Sequence, residues 1–343
     1  MPDAFDSAPK VELHLHLEGA IPLPTLWELV NGYGDSGVET LDALASRFQY
    51  RDFPHFIETW WWMTGFLRTA TDFSRAAQAV ASSLVEQNII YAEASISPAD
   101  FARHGLSVGE IATAARSGIG QVAEVEIGLI VDLVRDTGPQ MCMNTLEQVI
   151  DVAAETGVAG ITIGGSEHDF PPQLFGDVYR KAESAGLGLT AHAGEAAGPE
   201  NVWVAIQDLG VSRVGHGVRS VENPELVDYL VQHKVPLEVC PTSNIRTGVV
   251  ESWEHHPVFD LIARGARVTI NSDDPLFFDC SVAGEFRKMS DFIDVDVERH
   301  TLYAIDASWM GADQKALRRA EVSDWWDSFR NNEQSGSQRH ASV

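Results

Sequence analysis

Cysteine is scarce: Cys142, Cys240 and Cys280 are the only three in 343 residues, and they lie far apart. That spacing argues against a disulfide framework and against a cysteine-built zinc site, and it fits a reducing cytoplasm. Long apolar runs are missing too. No stretch reaches about 18 apolar residues, so no membrane span is expected. The opening MPDAFDSAPK has neither the basic start nor the apolar stretch of a secretory signal. Positive charge is the third shortage, with 24 Lys and Arg against 50 Asp and Glu and a net charge of −26. Such a surface repels phosphate backbones, so nucleic acid is not an expected partner. A Gly-X-Gly-X-X-Gly match at Gly32, Gly34 and Gly37 follows a helical pattern rather than a strand, which removes the context a dinucleotide site requires. Phosphate-loop and His-Glu-X-X-His patterns are absent.

What the chain does contain begins at residues 11–19, VELHLHLEG. The stretch alternates with period two, as a strand does. One side carries Glu12, His14, His16 and Glu18, and the other Val11, Leu13, Leu15 and Leu17. A sheet with one wet face would also alternate in this way. Further apolar runs ending in polar or Gly-rich punctuation follow at 89–98, 125–136, 158–167, 187–195, 212–219, 235–244 and 266–275. Helical patterns lie between them: Phe73, Ala76, Ala77, Val80 and Leu84 behind a capping Asp72, and Leu226 with Leu230 behind Asn223 and Pro224.

Eight apolar strands alternating with helices predict a parallel sheet covered on both faces, and most simply a closed (β/α)8 TIM barrel. An open doubly wound sheet is the alternative, because a strand count does not show closure. Residues 1–330 read as one domain, with no interdomain linker and no short-period repeat. The first inter-strand interval is the longest and holds a helical insertion at about 20–87. Within it, the aromatic segment 52–67 is either a helical hairpin packed on the barrel or a lid over the strand ends. The polar tail 331–343 is expected to be disordered.

Chemistry in such a barrel sits where strands finish. Those ends carry His14 and His16, then His192 and Glu195 in HAGE, His216 in GHG, and Asp273 with Asp274 in NSDDP. Singly, His192 or His216 reads as a hydrogen-bonded core histidine, and Asp273-Asp274-Pro275 as a helix cap. Together on one rim they meet the demands of a borderline metal such as zinc, which takes imidazole nitrogens and a carboxylate.

His-X-His near the start, HAGE, GHG, CPTSN and NSDDP, in that order, resemble the adenosine deaminase family of the amidohydrolase superfamily from about residue 9 to 280. The resemblance implies one zinc ion per chain on His14, His16, His192 and Asp273. It implies Glu195 as proton shuttle and His216 orienting the attacking hydroxide, with Asp274 and His16 at the purine. Gly165 matches the glycine whose backbone lies against the base. The expected reaction is hydrolytic deamination of a 6-aminopurine nucleoside, adenosine to inosine and ammonia, with a small-molecule purine as the only partner. Three departures bear on the substrate: Glu18 stands where many adenosine deaminases have Asp, Ser95 where Arg is usual, and GGSEHDFPPQLF replaces the common AGDE stretch. Glu18 with Pro171-Pro172 resembles the adenine deaminase branch. IGG with GPENVW resembles deaminases of modified adenosines such as aminodeoxyfutalosine. A two-metal hydrolase on the same barrel would need a bridging lysine after strand 4, and ITIGGSE has none. Oligomeric state is not legible.

Overall fold

The computed structural model describes residues 3–34, 36–49 and 53–340; Asp52 of the aromatic segment and 341–343 of the tail lie outside them. Strands β1 (Lys10–His16), β2 (Ile89–Ile96), β3 (Glu126–Asp132), β4 (Val158–Thr162) and β5 (Gly188–Leu189) pair in parallel and in order. A second parallel set follows: β6 (His192–Ala193), β7 (Val214–His216), β8 (Leu237–Val239) and β9 (Val268–Ile270). β5 and β6 are halves of one barrel strand. Thr190 N and His192 N donate to Ile161 and Ile163 carbonyls on one side, while Ser212 N and Gly215 N reach the Leu189 and Ala191 carbonyls from the other. The seam closes at β1, where Asp273 N donates to the His14 carbonyl (3.1 Å) and His16 N to the Asp273 carbonyl (2.9 Å). Asn271 Oδ1 accepts from Leu13 N at 2.8 Å beside them. The ring therefore has eight strands and is closed, as the alternation predicts.

Strands of two or three residues cannot hold half a barrel by ladder bonds worth about 1 kcal/mol net each. Burial does most of that work: Val214, Leu237, Val239, Val268 and Ile270 are all buried, and each such side chain contributes roughly 1.5–3 kcal/mol. β1 is buried along its whole length, so it has no wet face. Its register is irregular between Glu12 and Leu15. Glu12 accordingly does not join the histidines; its carboxylate is taken by the backbone N–H (2.7 Å) and hydroxyl of Ser272.

Among the described residues of the insertion are four α-helices: Leu23–Tyr33, Leu41–Arg47, Phe53–Thr64 and Ala70–Glu86. Gly34, in left-handed conformation, ends the first of them, so the Gly-rich match is a helix stop. The fourth is capped by Thr69 rather than Asp72. Asp72 is its third residue, and its carboxylate accepts in return from the Thr69 N–H, forming a capping box. Asn223 caps Pro224–His233 as expected. The last helix runs Ala312–His340, and so carries on into the polar tail. Among the described residues, no helix is long and apolar enough to cross a membrane.

Candidate active site

Closing the seam between β1 and the residues after β9 sets Asp273 against His14 and His16. Asp273 Oδ1 lies 3.4 Å from His14 Nε2 and 3.3 Å from His16 Nε2. With His192 from β6 these form a group of four whose ligand atoms all lie within 4.8 Å of one another. The other nitrogen of each ring is held from behind. Glu238 Oε2 lies 2.9 Å from His14 Nδ1, Ser95 Oγ 3.0 Å from His16 Nδ1, and Thr162 Oγ1 3.3 Å from His192 Nδ1. Ser243 Oγ donates to Asp273 Oδ2 at 2.6 Å. His14 Nε2, although buried, has no hydrogen-bond partner. Three oriented imidazoles, one carboxylate and an orphaned nitrogen facing inward fit a divalent ion of the zinc kind. Cys240 comes within the same reach of His216 and Asp273. Burial first, then nearby carboxylates, push its thiol far up, which leaves it protonated and a poor ligand.

The charges tell the same story. Burial works against protonating His14, but Asp273 and Glu238 outweigh it and lift the ring to about 10. Burial also opposes His16, and Asp274 and Asp273 carry it up to about 9. Burial and the charge on His14 depress both His192 and His216, the latter to about 3. The pocket is thus built to hold positive charge against Asp273.

His216 ends β7 with φ +57° and Asp273 has φ +65°, left-handed positions rarely taken by such residues. His216 Nε2 lies 3.6 Å from Glu195 Oε2 and 3.9 Å from Asp273 Oδ2. Asn244 Nδ2 lies 3.1 Å from His216 Nδ1 and fixes the ring; with the amide donating, Nε2 carries the hydrogen. Burial, Asp273 and Glu167 push the Glu195 carboxyl up to about 8, so it carries a proton at neutral pH. Burial likewise raises Asp274 to about 7. Gly19 makes room for Asp274: a Cβ there would stand 1.8 Å from Asp274 Oδ1. Gly165, at φ +105°, abuts Asp136, whose Oδ2 would meet an added Cβ at 1.8 Å. Glu18 is fully buried in a short 3-10 turn, Glu18–Ala20, just past β1. Its Oε1 accepts from Ser97 N at 3.0 Å and its Oε2 has no partner. Burial raises this carboxyl to about 7.

Trp60, on the inserted helix Phe53–Thr64, packs edge-on to His16 at 6.5 Å between ring centroids and donates Nε1–H to Asp100 (2.9 Å). The strand-end residues singled out from sequence therefore converge, while Glu12, which the alternation placed on their side of β1, turns to Ser272 instead. Sequence reading missed Glu238, Ser243, Asn244 and Glu167, and it gave Ser95 no contact with His16. CPTSN and GGSE drew attention as motifs without disclosing what these side chains touch. The signal for Glu238 was an acid inside an apolar strand.

A closed (β/α)8 barrel with three histidines and an aspartate gathered on one rim defines the amidohydrolase class. The family described as adenosine deaminase matches residues 9–325. Aminodeoxyfutalosine deaminase of Streptomyces avermitilis is 34% identical over 92% of this chain and 91% of its own. Adenosine deaminase of Shewanella denitrificans is 33% identical over 92% and 99%. An adenine deaminase structure from Arthrobacter aurescens superposes with TM-score 0.86 at 28% identity, covering 94% of this chain and all of that one. A zinc-bound amidohydrolase from Burkholderia ambifaria gives 0.88 at 27% identity, covering 96% and 93%. The chain belongs to the adenosine deaminase family. It is a deaminase of adenosine-like purines.

Proposed function

We propose that the chain hydrolytically deaminates adenosine to inosine and ammonia with one zinc ion on His14, His16, His192 and Asp273. The observation that carries the reading is Glu195 Oε2 lying 3.6 Å from His216 Nε2, beside that four-residue group. When bound, the ion supplies Lewis acidity and brings the pKa of a water toward neutrality. Glu195 donates its proton to purine N1 as water adds at C6, and the proton that water gives up restores Glu195. The proton of the new C6 hydroxyl then passes to the amino group, the C6–N6 bond breaks, the C6 carbonyl forms and ammonia leaves. Neutral His216 faces the incoming oxygen and stabilises the charge that develops there. Asp274 orients the base, and Gly165 and His16 border it.

The buried, unpartnered Oε2 of Glu18 supports a nucleoside substrate, since it offers an acceptor to a sugar hydroxyl. Asp132 and Asp136 add negative charge around Asp100, and Asp100 around Glu18, an environment that disfavours a phosphorylated sugar. A second reading, bare adenine as substrate, rests on Glu18 with Pro171-Pro172, which resemble the adenine deaminase branch; the orphaned oxygen would then accept an adenine N–H. A sugar-modified adenosine such as aminodeoxyfutalosine is the third member of the panel. The free thiols support a reducing, cytoplasmic setting. The test is the ultraviolet change that accompanies conversion of a 6-aminopurine to its 6-oxo product, followed for adenosine, adenine and aminodeoxyfutalosine in turn. Adenosine is expected to give the highest kcat/KM, and no change with any of them would overturn the reading.

A further inference from the structure

The turn that carries Glu195 is held by one buried acid on another strand's loop. Glu167, 2% exposed, lies in the segment after β4. Its Oε1 accepts from Gly194 N (2.7 Å) and from Asn201 Nδ2 (3.0 Å), and its Oε2 from Ala197 N (2.9 Å) and Glu195 N (3.2 Å). Three of these donors are main-chain N–H groups bracketing Glu195. They form a small anion-binding concavity of the kind that successive amides make, filled here by the protein's own side chain. On the carbonyl side of the same strand exit, the buried Arg135 guanidinium donates to the main-chain oxygens of His192 and Ile163. A cation thus grips the carbonyls and an anion the amides, on either side of the residues leading from His192 to Glu195. Neither grip is explained by packing, since apolar side chains would fill the space without fixing the amide directions.

We propose that Glu167 is a positioning residue for Glu195: it orients the Gly194–Ala197 turn so that the Glu195 carboxyl faces His216 and the substrate's N1. The inference rests on the role given to Glu195 above. Glu167 is not one of the four metal-group residues, so its removal acts at the proton-transfer step, through the orientation of the turn and through the charge it sets beside Glu195.

Glu167→Gln preserves size but replaces one acceptor by a donor aimed at N–H groups. In the zinc-loaded protein, kcat is expected to fall about 10–10²-fold, the cost of a misplacement near 1 Å. KM and zinc content should stay within about twofold, because ground-state contacts are untouched. Hydrogen exchange at the amides of Gly194, Glu195 and Ala197 should accelerate in this variant while the β1 amides keep their protection. Glu167→Gln added to Glu195→Gln should slow the enzyme no further, since residues acting as one unit are not additive. Glu167→Asp, which keeps the charge one methylene short, should fall between wild type and Glu167→Gln; it replaces the latter in every arm should that variant not fold. An unchanged kcat with unchanged turn exchange, or losses that multiply in the double variant, would overturn the proposal. If the wild type deaminates none of the 6-aminopurines, the deaminase reading fails, and the exchange arm still decides whether Glu167 holds the turn.

Discussion

His14 Nδ1 and Glu238 Oε2 lie 2.9 Å apart, and behind Glu238 stands a wholly buried chain of charge. Arg213 pairs with both Glu238 and Glu93 and stacks 3.8 Å over Trp309. The hydrogen bond to Glu238 fixes the His14 tautomer and points Nε2 at the ion site. Glu238→Gln is therefore expected to weaken zinc binding about 10–100-fold, read by competition with a chromophoric chelator. Arg213→Met, which strands two buried carboxylates, should destabilise the fold by about 3–5 kcal/mol in denaturant titration.

Metal removal should abolish turnover reversibly. Elemental analysis is expected to find one divalent ion per chain. Dialysis against a chelator should remove ion and activity together, and adding zinc should restore both. Full activity in metal-free protein would contradict the assignment of the four ligands.

Glu195→Gln separates proton transfer from metal binding. It should lower kcat by about 10² or more while zinc content and inosine affinity hold. Loss of zinc along with activity would make Glu195 a ligand instead.

Glu18→Ala addresses the sugar. Loss of a charge-assisted hydrogen bond should cost adenosine turnover about 1–3 kcal/mol in kcat/KM and leave adenine nearly unchanged. If adenosine turnover improves, Glu18 excludes the sugar and the adenine reading takes over.

His256 supplies a pH dependence away from the metal site. It is buried, its Nδ1 accepts from Val258 N at 3.1 Å, and its Nε2 has no partner. Burial holds it down to about 4 from 6.5. A depressed folded-state value means its stabilisation is complete above pH 6.5 and disappears as pH falls through 4. The shift corresponds to roughly 3 kcal/mol. His256→Asn keeps an acceptor for Val258 without the titration, so thermal melts of this variant should lose less stability between pH 6.5 and 4.

The barrel and its metal-rim residues were legible because both leave local marks: apolar runs of strand length, and polar residues at their ends. Glu167, Glu238 and Asn244 were not, because their partners lie on other strands and a buried acid looks like a surface acid until the fold aims it. Glu12 misled for the opposite reason. Its period-two spacing from His14 is real in the sequence, but the register irregularity before Leu15 gives its carboxylate to Ser272. Thr69 was passed over as a cap because Asp72, three residues on, offered the same chemistry, and only geometry shows that each serves the other.

The seam at which Asp273 meets His14 and His16 also sets an order of events during synthesis. His14 and His16 leave the ribosome early, but the carboxylate that completes their group and the Asn271 side chain that seals the strand edge emerge only near the end. A nascent chain that ends just short of Asp273 has the three imidazoles of the group and no enclosure around them. Completion of the four-residue group is thereby coupled to completion of the ring, and a truncated product ending before that seam holds neither the finished group nor the closed sheet.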